Sequence, residues 1–283
     1  MTEHTTVSNA VAASLCAPDG TLFCDPAREM PKRDVRKALH HFRELIKDKE
    51  DTAQVFKIYD ALPSKHFRPR AQSLTLSERG EALRASEPFL PSILDDHDAL
   101  RKLPKGSVAH AYVDFMESEG LTAAGLVEES EKSGRPRYGD LMEWYGFRQR
   151  DTHDLLHVLT GYGRDALGEQ CVLLFTHGQS PAPGHLLLGY AGAANIKKTV
   201  KSKAPVFRAV REAHRIGKAC PPIAEMSIRE LLAMDLADVR KRFGIAEHKW
   251  YKKCHEVWRS EGIDPYDLMA KNMPAEGEAA LAA

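Results

Sequence analysis

The chain has 283 residues, 43% of them hydrophobic and 28% charged, which is enough to bury a substantial core in one large domain or two small ones. Its 40 Lys and Arg balance 40 Asp and Glu, which excludes an overall basic field for nucleic acid and leaves only local patches. Five scattered cysteines with no CxxC pair argue against a disulfide frame, and no apolar run reaches the roughly 18 residues of a spanning helix.

Residues 1–34 read as a flexible leader. Their first 27 positions carry neither Lys nor Arg and lack a long apolar run, the opposite of a secretory signal or an arginine-rich transit peptide. VRKALHHFRELIKD then has an amphipathic helical period, with His40 and His41 read as solvated. DTAQVFKIYDAL follows, Asp51 standing as its N-cap. GEALRASEPFLPSILDDHDALRKL is helical in pattern but broken by its prolines. GSVAHAYVDFMESE places Val108, Tyr112, Phe115 and Met116 on one apolar stripe. A helix over 139–160 runs up to a glycine break, after which come the apolar QCVLLFTHG, the turn QSPAPG and the small-residue helix LLLGYAGAANI. The basic KAPVFRAVREAHRIGK precedes SIRELLAMDLADVRKRFGI, which opens with Ser227 and Glu230 at capping-box spacing. No segment alternates with period two in the manner of strands. The expected architecture is all-α: one helical domain over 35–245, then a C-terminal helical extension over 246–283 with Trp250 and Trp258 and a frayed AEGEAALAA tail.

The chemistry concentrates in HDLLHVLTGYGRDALGE, residues 153–169. On a helix, His157 lies about 40° round from His153 and one turn along, with Asp154 on the shoulder of the same face. Glu169 on a continuous helix would stand about 18 Å beyond His157, out of reach. Gly161 and Gly163 fall between them, and a turn there brings Glu169 back antiparallel beside both imidazoles. Two imidazoles and two carboxylates suit a divalent metal; zinc stands first, with iron, cobalt or manganese compatible. Asp at the second motif position departs from a zincin HExxH, because the shorter side chain reaches poorly to a metal-bound water. An HD pair also invites comparison with HD-type phosphohydrolases, which need further ligands not evident here. Arg150, one turn before His153, faces between His157 and Asp154 on the helical wheel, where it is placed to hold a substrate carboxylate. Arg164, just past the break, is a weaker candidate.

The pattern His153-Asp154-x-x-His157, eleven residues, then Glu169 resembles the signature of the Coq4 family of ubiquinone biosynthesis proteins. LPKGSVAHAYVDFMESEGLTAAGL, YGFRQRDTHDLLHVLTGYGRDALGE, LGEQCVLLF and DTAQVFKIYDAL resemble its other blocks, so that the likeness covers about residues 50–245. His110 stands where many members carry Arg, and the leader and tryptophan-bearing tail have no counterpart. The resemblance implies an all-helical, metal-carrying protein at a membrane face that binds isoprenoid chains. It implies oxidative decarboxylation at ring carbon 1 of a prenylated hydroxybenzoate, or a non-catalytic scaffold that organises the other ubiquinone-biosynthetic enzymes. The expected partners are that prenylated acid or another isoprenoid lipid, those enzymes, a membrane surface and a second copy of the chain, with no nucleic acid. The expected location is cytoplasmic and peripheral, on the inner face of the membrane. For the lipid, Tyr112, Phe115 and Met116 with Val108, and the small-residue face of 186–196, are the expected groove lining. Lys197, Lys198, Lys201 and Lys203 are the expected basic rim at the bilayer.

Overall fold

A computed structural model describes residues 15–48 and 51–268. Residues 1–14 of the expected leader and the AEGEAALAA tail lie outside the described residues. Sixteen α-helices occupy the described part, and the only β-type pairings there are two isolated bridges, Cys16 with Leu22 and Ser107 with Asp235. The fold is all-α.

In chain order the helices are α1 (Val35–Lys47), α2 (Ala53–Ala61), α3 (Phe67–Thr75), α4 (Glu78–Ser86), α5 (Leu90–Leu94), α6 (His97–Leu100), α7 (Val108–Glu119) and α8 (Ala123–Glu131). Then come α9 (Leu141–Asp151), α10 (His153–Thr160), α11 (Ala166–Gln179), α12 (Pro183–Thr199), α13 (Val206–Ala219), α14 (Ile228–Ala233), α15 (Leu236–Arg242) and α16 (Lys249–Ser260). At the centre lies α11, packed most extensively on α13 and next on α12, while α10 lies against α7. Cys171, Val172, Leu174 and Phe175 of α11 are fully buried, so it reads as apolar on most sides, as a central helix should.

Several sequence expectations change here. The leader is not wholly loose: Phe23 is fully buried beside Leu141, Met142 and Tyr145, and the Leu141 and Met142 amides donate to the carbonyls of Leu22 and Phe23 at 2.9 and 3.2 Å. Arg28 completes the attachment by pairing with Asp140 at 2.7 Å. The expected domain end at 245 marks no break in packing. Tyr251, Cys254 and Trp258 of α16 belong to the same buried cluster as α11 and α13. The proline- and arginine-bearing α3 and the acidic α8 escaped the reading, because neither carries a strong apolar stripe. The 139–160 helix is interrupted at Thr152, whose hydroxyl donates back to the Arg148 carbonyl at 2.9 Å, a bond that bends helices. The 227–245 segment forms two helices, since Asp235 caps a new start by accepting from the Ala237 and Asp238 amides at 2.9 and 3.1 Å. Ser227 does cap α14, accepting from the Glu230 amide at 3.2 Å. Asp51 accepts from the Gln54 side chain rather than capping α2 directly, and His41, expected in solvent, meets Gln54 Oε1 through Nδ1 at 2.7 Å.

Candidate metal centre

His153 and His157 leave one face of α10, and Gly161 ends that helix in the left-handed region at φ +76°. The chain turns through Tyr162 and Gly163, and Asp165 starts α11 by accepting from the Leu167 and Gly168 amides at 3.1 and 3.2 Å. The turn is tight: a Cβ on Gly168 would stand 1.9 Å from the Gly163 carbonyl oxygen, so only glycine fits there. Glu169 therefore sits in the first turn of α11 and returns to α10.

Glu169 carboxylate oxygens lie 3.4 Å from His153 Nε2 and 3.5 Å from His157 Nε2, and the two Nε2 atoms are 3.3 Å apart. Asp154 stands beside the two imidazoles: one ligand atom each of His153, Asp154 and His157 lie within 4.8 Å of one another, a grouping that does not take in Glu169. His157 Nδ1 lies 3.0 Å from the Tyr162 carbonyl. A carbonyl only accepts, so Nδ1 carries a proton and Nε2 is the ring nitrogen turned toward Glu169 and His153, the atom that a metal would take. Phe115 stacks on the other face of the His157 ring, with centroids 5.7 Å apart and planes at 16°.

Tetrahedral coordination at about 2.0–2.1 Å separates neighbouring ligand atoms by roughly 3.3–3.4 Å. The separation of the two imidazole nitrogens, and that from each to its nearer Glu169 oxygen (a different oxygen for each), are close to that spacing, and imidazole nitrogens with a carboxylate are donors that suit a divalent ion. Burial works against charge on both Glu169 and His153, yet attraction prevails. The attraction of His157, and after it of His153, holds the Glu169 carboxyl below its ordinary range, and Glu169 lifts His153 above its own. His185 nearby stays neutral, pushed down to about 3 by burial and by the neighbouring His153 and His177.

The cluster opens onto a cavity of about 2000 Å³ bounded by α1, α2, α8, α9, α11 and α12, among others. Apolar side chains such as Phe42, Phe56, Leu126, Phe147, Leu173 and Leu188 line it. The expected stripe contributes little: Val108, Tyr112 and Met116 are fully buried in the core, because their face of α7 packs against α10 and α14. Phe115 instead lines a smaller cavity beside His157. The small-residue face of α12 divides its role. Gly189 is filled against Leu174 of α11, whereas Leu188, Gly192 and Ile196 also line the large cavity. Lys198, Lys201 and Lys203 are exposed, but the Lys197 ammonium donates to the Ser202 and Ala204 carbonyls at 2.6 and 3.3 Å and is not part of a free rim.

Arg150 lines the cavity but is already engaged. Its guanidinium meets Asp151 at 2.6 Å and Ser130 Oγ at 2.7 Å and lies over the Phe147 ring. The helical-wheel placement assumed one continuous helix, and the interruption at Thr152 removes that premise. Arg164 is closer to the cluster: it stands 3.9 Å from Glu169 and 3.7 Å from Glu119, with its side chain 39% exposed. His110, at the departure from the family pattern, is 2.8 Å from the Leu103 carbonyl and 3.1 Å from that of Arg101. Sequence reasoning missed Asp165, although an Asp three residues before Gly168 and four before Glu169 is an N-cap signal.

A family model described as "Coenzyme Q (ubiquinone) biosynthesis protein Coq4" matches residues 62–249. The chain belongs to the Coq4 family. It is 26% identical over 187 residues to the ubiquinone biosynthesis protein COQ4 homolog 1, mitochondrial, of Culex quinquefasciatus, covering 62% of this chain and 61% of that one. It is 26% identical over 189 residues to the mitochondrial COQ4 protein of Pyricularia oryzae, covering 66% and 60%. The chain thus spans about three-fifths of these curated relatives. A crystal structure of a putative ubiquinone biosynthesis protein from Nostoc punctiforme superposes with a TM-score of 0.56 at 20% identity. It covers 76% of this chain and all of that one, a likeness of fold. The Coq4 match takes in His153, Asp154, His157 and Glu169 but ends at the start of α16. No helix among the described residues is long and apolar enough to cross a membrane.

Proposed function

We propose that this Coq4 protein works in ubiquinone biosynthesis as a metal-dependent oxidative decarboxylase. It would replace the ring carbon-1 carboxylate of a prenylated hydroxybenzoate by hydroxyl, the carboxylate leaving as carbon dioxide, water supplying the oxygen and dioxygen, as the external oxidant, taking up the two electrons to become hydrogen peroxide. The observation that carries this reading is the juxtaposition of an imidazole–carboxylate cluster of metal-ligand spacing with a large, apolar-lined cavity. His153, His157 and Glu169, with Asp154 beside them, would hold a divalent metal, zinc first among the candidates. When bound, the metal supplies Lewis-acid stabilisation of negative charge on the ring substituents.

The chain's own residues do the rest. The apolar lining shelters the isoprenoid tail from water, and the Tyr162 carbonyl keeps the His157 ring in the tautomer that offers Nε2. Arg164 rather than Arg150 holds the ring carboxylate, since its two ion-pair contacts are long and its side chain is open to the cavity. A bilayer surface delivers so apolar a substrate. Helix α1 suits that contact, with Val35, Leu39 and Ile46 exposed while Phe42 and Leu45 face the cavity, and the exposed Lys198, Lys201 and Lys203 add positive charge.

A second reading keeps the metal structural and makes the protein a scaffold that presents prenyl lipid to partner enzymes. Asp154 beside the two imidazoles favours it, because each further protein ligand on the ion would leave fewer positions open to substrate. The deciding experiment incubates the purified metal-loaded protein, its Glu169→Gln variant and its Arg164→Ala variant with the prenylated acid. Incubations run with and without dioxygen as oxidant, and the ring product is read by mass spectrometry. Wild-type conversion that Glu169→Gln abolishes and Arg164→Ala weakens through KM supports the enzyme. Full conversion by metal-free Glu169→Gln would falsify it, and lipid binding without product under either atmosphere leaves the scaffold.

A further inference from the structure

Helix α16 begins where the family match ends, yet it reaches the turn that builds the metal cluster. Asp165 is the hub. It is 5% exposed with a fully buried side chain, and it caps α11 by accepting from the Leu167 and Gly168 amides, two and three residues on, which fixes the first turn from which Glu169 returns. Two side chains of α16 converge on the same carboxylate: Tyr251 donates its hydroxyl hydrogen to Oδ2, and His255 Nε2 stands 3.3 Å from Oδ1. The Tyr251 hydroxyl oxygen also accepts from the Gly163 amide at 3.1 Å. Its ring meets Tyr162 edge-on, with centroids 5.2 Å apart, and Tyr162 is the residue whose carbonyl orients His157. One tyrosine therefore touches the supports of both ligand-bearing helices. Behind it, fully buried Cys254 and Trp258 anchor α16 in the core.

We propose that Tyr251, with His255, is a positioning residue for the metal cluster, acting through Asp165 on Glu169 and through Tyr162 on His157. The physical argument is economy of freedom. Residues 161–165 form a short turn, and a buried carboxylate whose acceptor sites are filled from two directions has one orientation. Without the Tyr251 hydroxyl, the Gly163 amide and Asp165 Oδ2 lose their shared partner. The Asp165 cap then loosens, and Glu169 samples positions away from the 3.4–3.5 Å contacts it makes with the imidazoles. Outer partners of ligands typically tune metal affinity by about 10–100-fold, and a residue one bond further out should act toward the low end of that range. The consequence for metal rests on the metal-site reading of the preceding section; the positioning of the turn does not.

The test uses the full chain as wild type, Tyr251→Phe and His255→Gln, with Cys254→Ala as a packing control on the same helix. Hydrogen exchange of the metal-free proteins reads the turn directly, and competition against a chromophoric chelator reads zinc affinity. Tyr251→Phe is expected to accelerate exchange at the Gly163–Glu169 amides and to weaken zinc binding about tenfold, with His255→Gln acting in the same direction but less. Cys254→Ala should lower Tm while leaving both readouts at wild-type values in the folded protein. Wild-type exchange over 163–169 in Tyr251→Phe overturns the proposal, as does an equal loss of zinc affinity in Cys254→Ala. If the wild type binds no zinc, the metal reading fails by itself and the exchange data still decide the positioning.

Discussion

Two charged clusters flank the break at Thr152, and they are built on opposite plans. Arg148 of α9 is 2% exposed, and its guanidinium meets Glu87 at 2.9 Å, the Ala224 carbonyl at 3.0 Å and the Met226 carbonyl at 2.6 Å. Glu87 in turn accepts from Ser227 Oγ and the Arg229 amide at 2.9 and 2.8 Å. Donors face acceptors throughout, and burial, which disfavours the charged guanidinium, is answered by the Glu87 carboxylate. Around His153, His157 and Glu169, by contrast, two imidazole nitrogens and a carboxylate converge at 3.3–3.5 Å, and the His153 and Glu169 side chains remain 28% and 32% exposed. A closed, fully paired cluster ties loops together; an open cluster of imidazoles and a carboxylate keeps its donor atoms within reach of the cavity.

The largest expected effect breaks the closed cluster. Arg148→Met leaves Glu87 buried without its charge partner and should destabilise the fold by about 3–5 kcal/mol, read by denaturant unfolding. The double variant Arg148→Met with Glu87→Leu should recover much of that loss. An Arg148→Met protein as stable as wild type would show that the pairing carries no structural weight. Zinc affinity of the folded fraction should stay unchanged in both.

The open cluster should respond in the reverse sense. Glu169→Gln removes a ligand charge, so zinc affinity measured by chelator competition should fall by more than about 100-fold. The metal-free variant should keep its stability within about 1 kcal/mol, because the Glu169 carboxylate is partly exposed, its pairing with the histidines is screened by solvent, and the amide of Gln still offers them a hydrogen bond. A large stability loss without a loss of affinity would make this cluster a second structural one.

A smaller effect separates the histidines of the site from the one behind it. His248 packs on Tyr162 with ring centroids 4.8 Å apart, and burial, aided by Lys252 and Arg240, pushes it down to about 4. The folded state therefore binds fewer protons than the unfolded chain between the ordinary value of 6.5 and 4. Stability from this group is complete above 6.5 and is lost as pH falls through that window. His248→Asn should flatten the acid limb of a stability–pH profile by roughly 1–3 kcal/mol, and an unchanged limb would assign it elsewhere.

The smallest effect tests the correction to the lipid-lining residues. The Tyr112 hydroxyl is buried with no hydrogen-bond partner among the described residues. Tyr112→Phe should be neutral or stabilising by up to about 1 kcal/mol and should leave prenyl-lipid binding unaltered. Weakened lipid binding in a variant of wild-type stability would return α7 to the cavity wall.

The sequence by itself determined the helical class and the heart of the candidate site, because both rest on local geometry. Two imidazoles one helical turn apart share a face whatever surrounds them, and glycines at 161 and 163 permit the reversal that brings Glu169 back within 17 residues of chain. The fate of every other candidate depended on contacts made at long range. Arg150 turned away because α9 ends at Asp151 and Ser130 offers a partner across the fold. Tyr112 and Met116 share an apolar stripe that suits core and groove equally, and only the packing of α7 chose the core. Phe23 anchors part of the leader on α9, more than 100 residues along the chain. Tyr251 and His255 reach Asp165 across separations of 86 and 90 residues. Periodicity records which face of a helix is apolar or polar, but not which distant side chain comes to meet it.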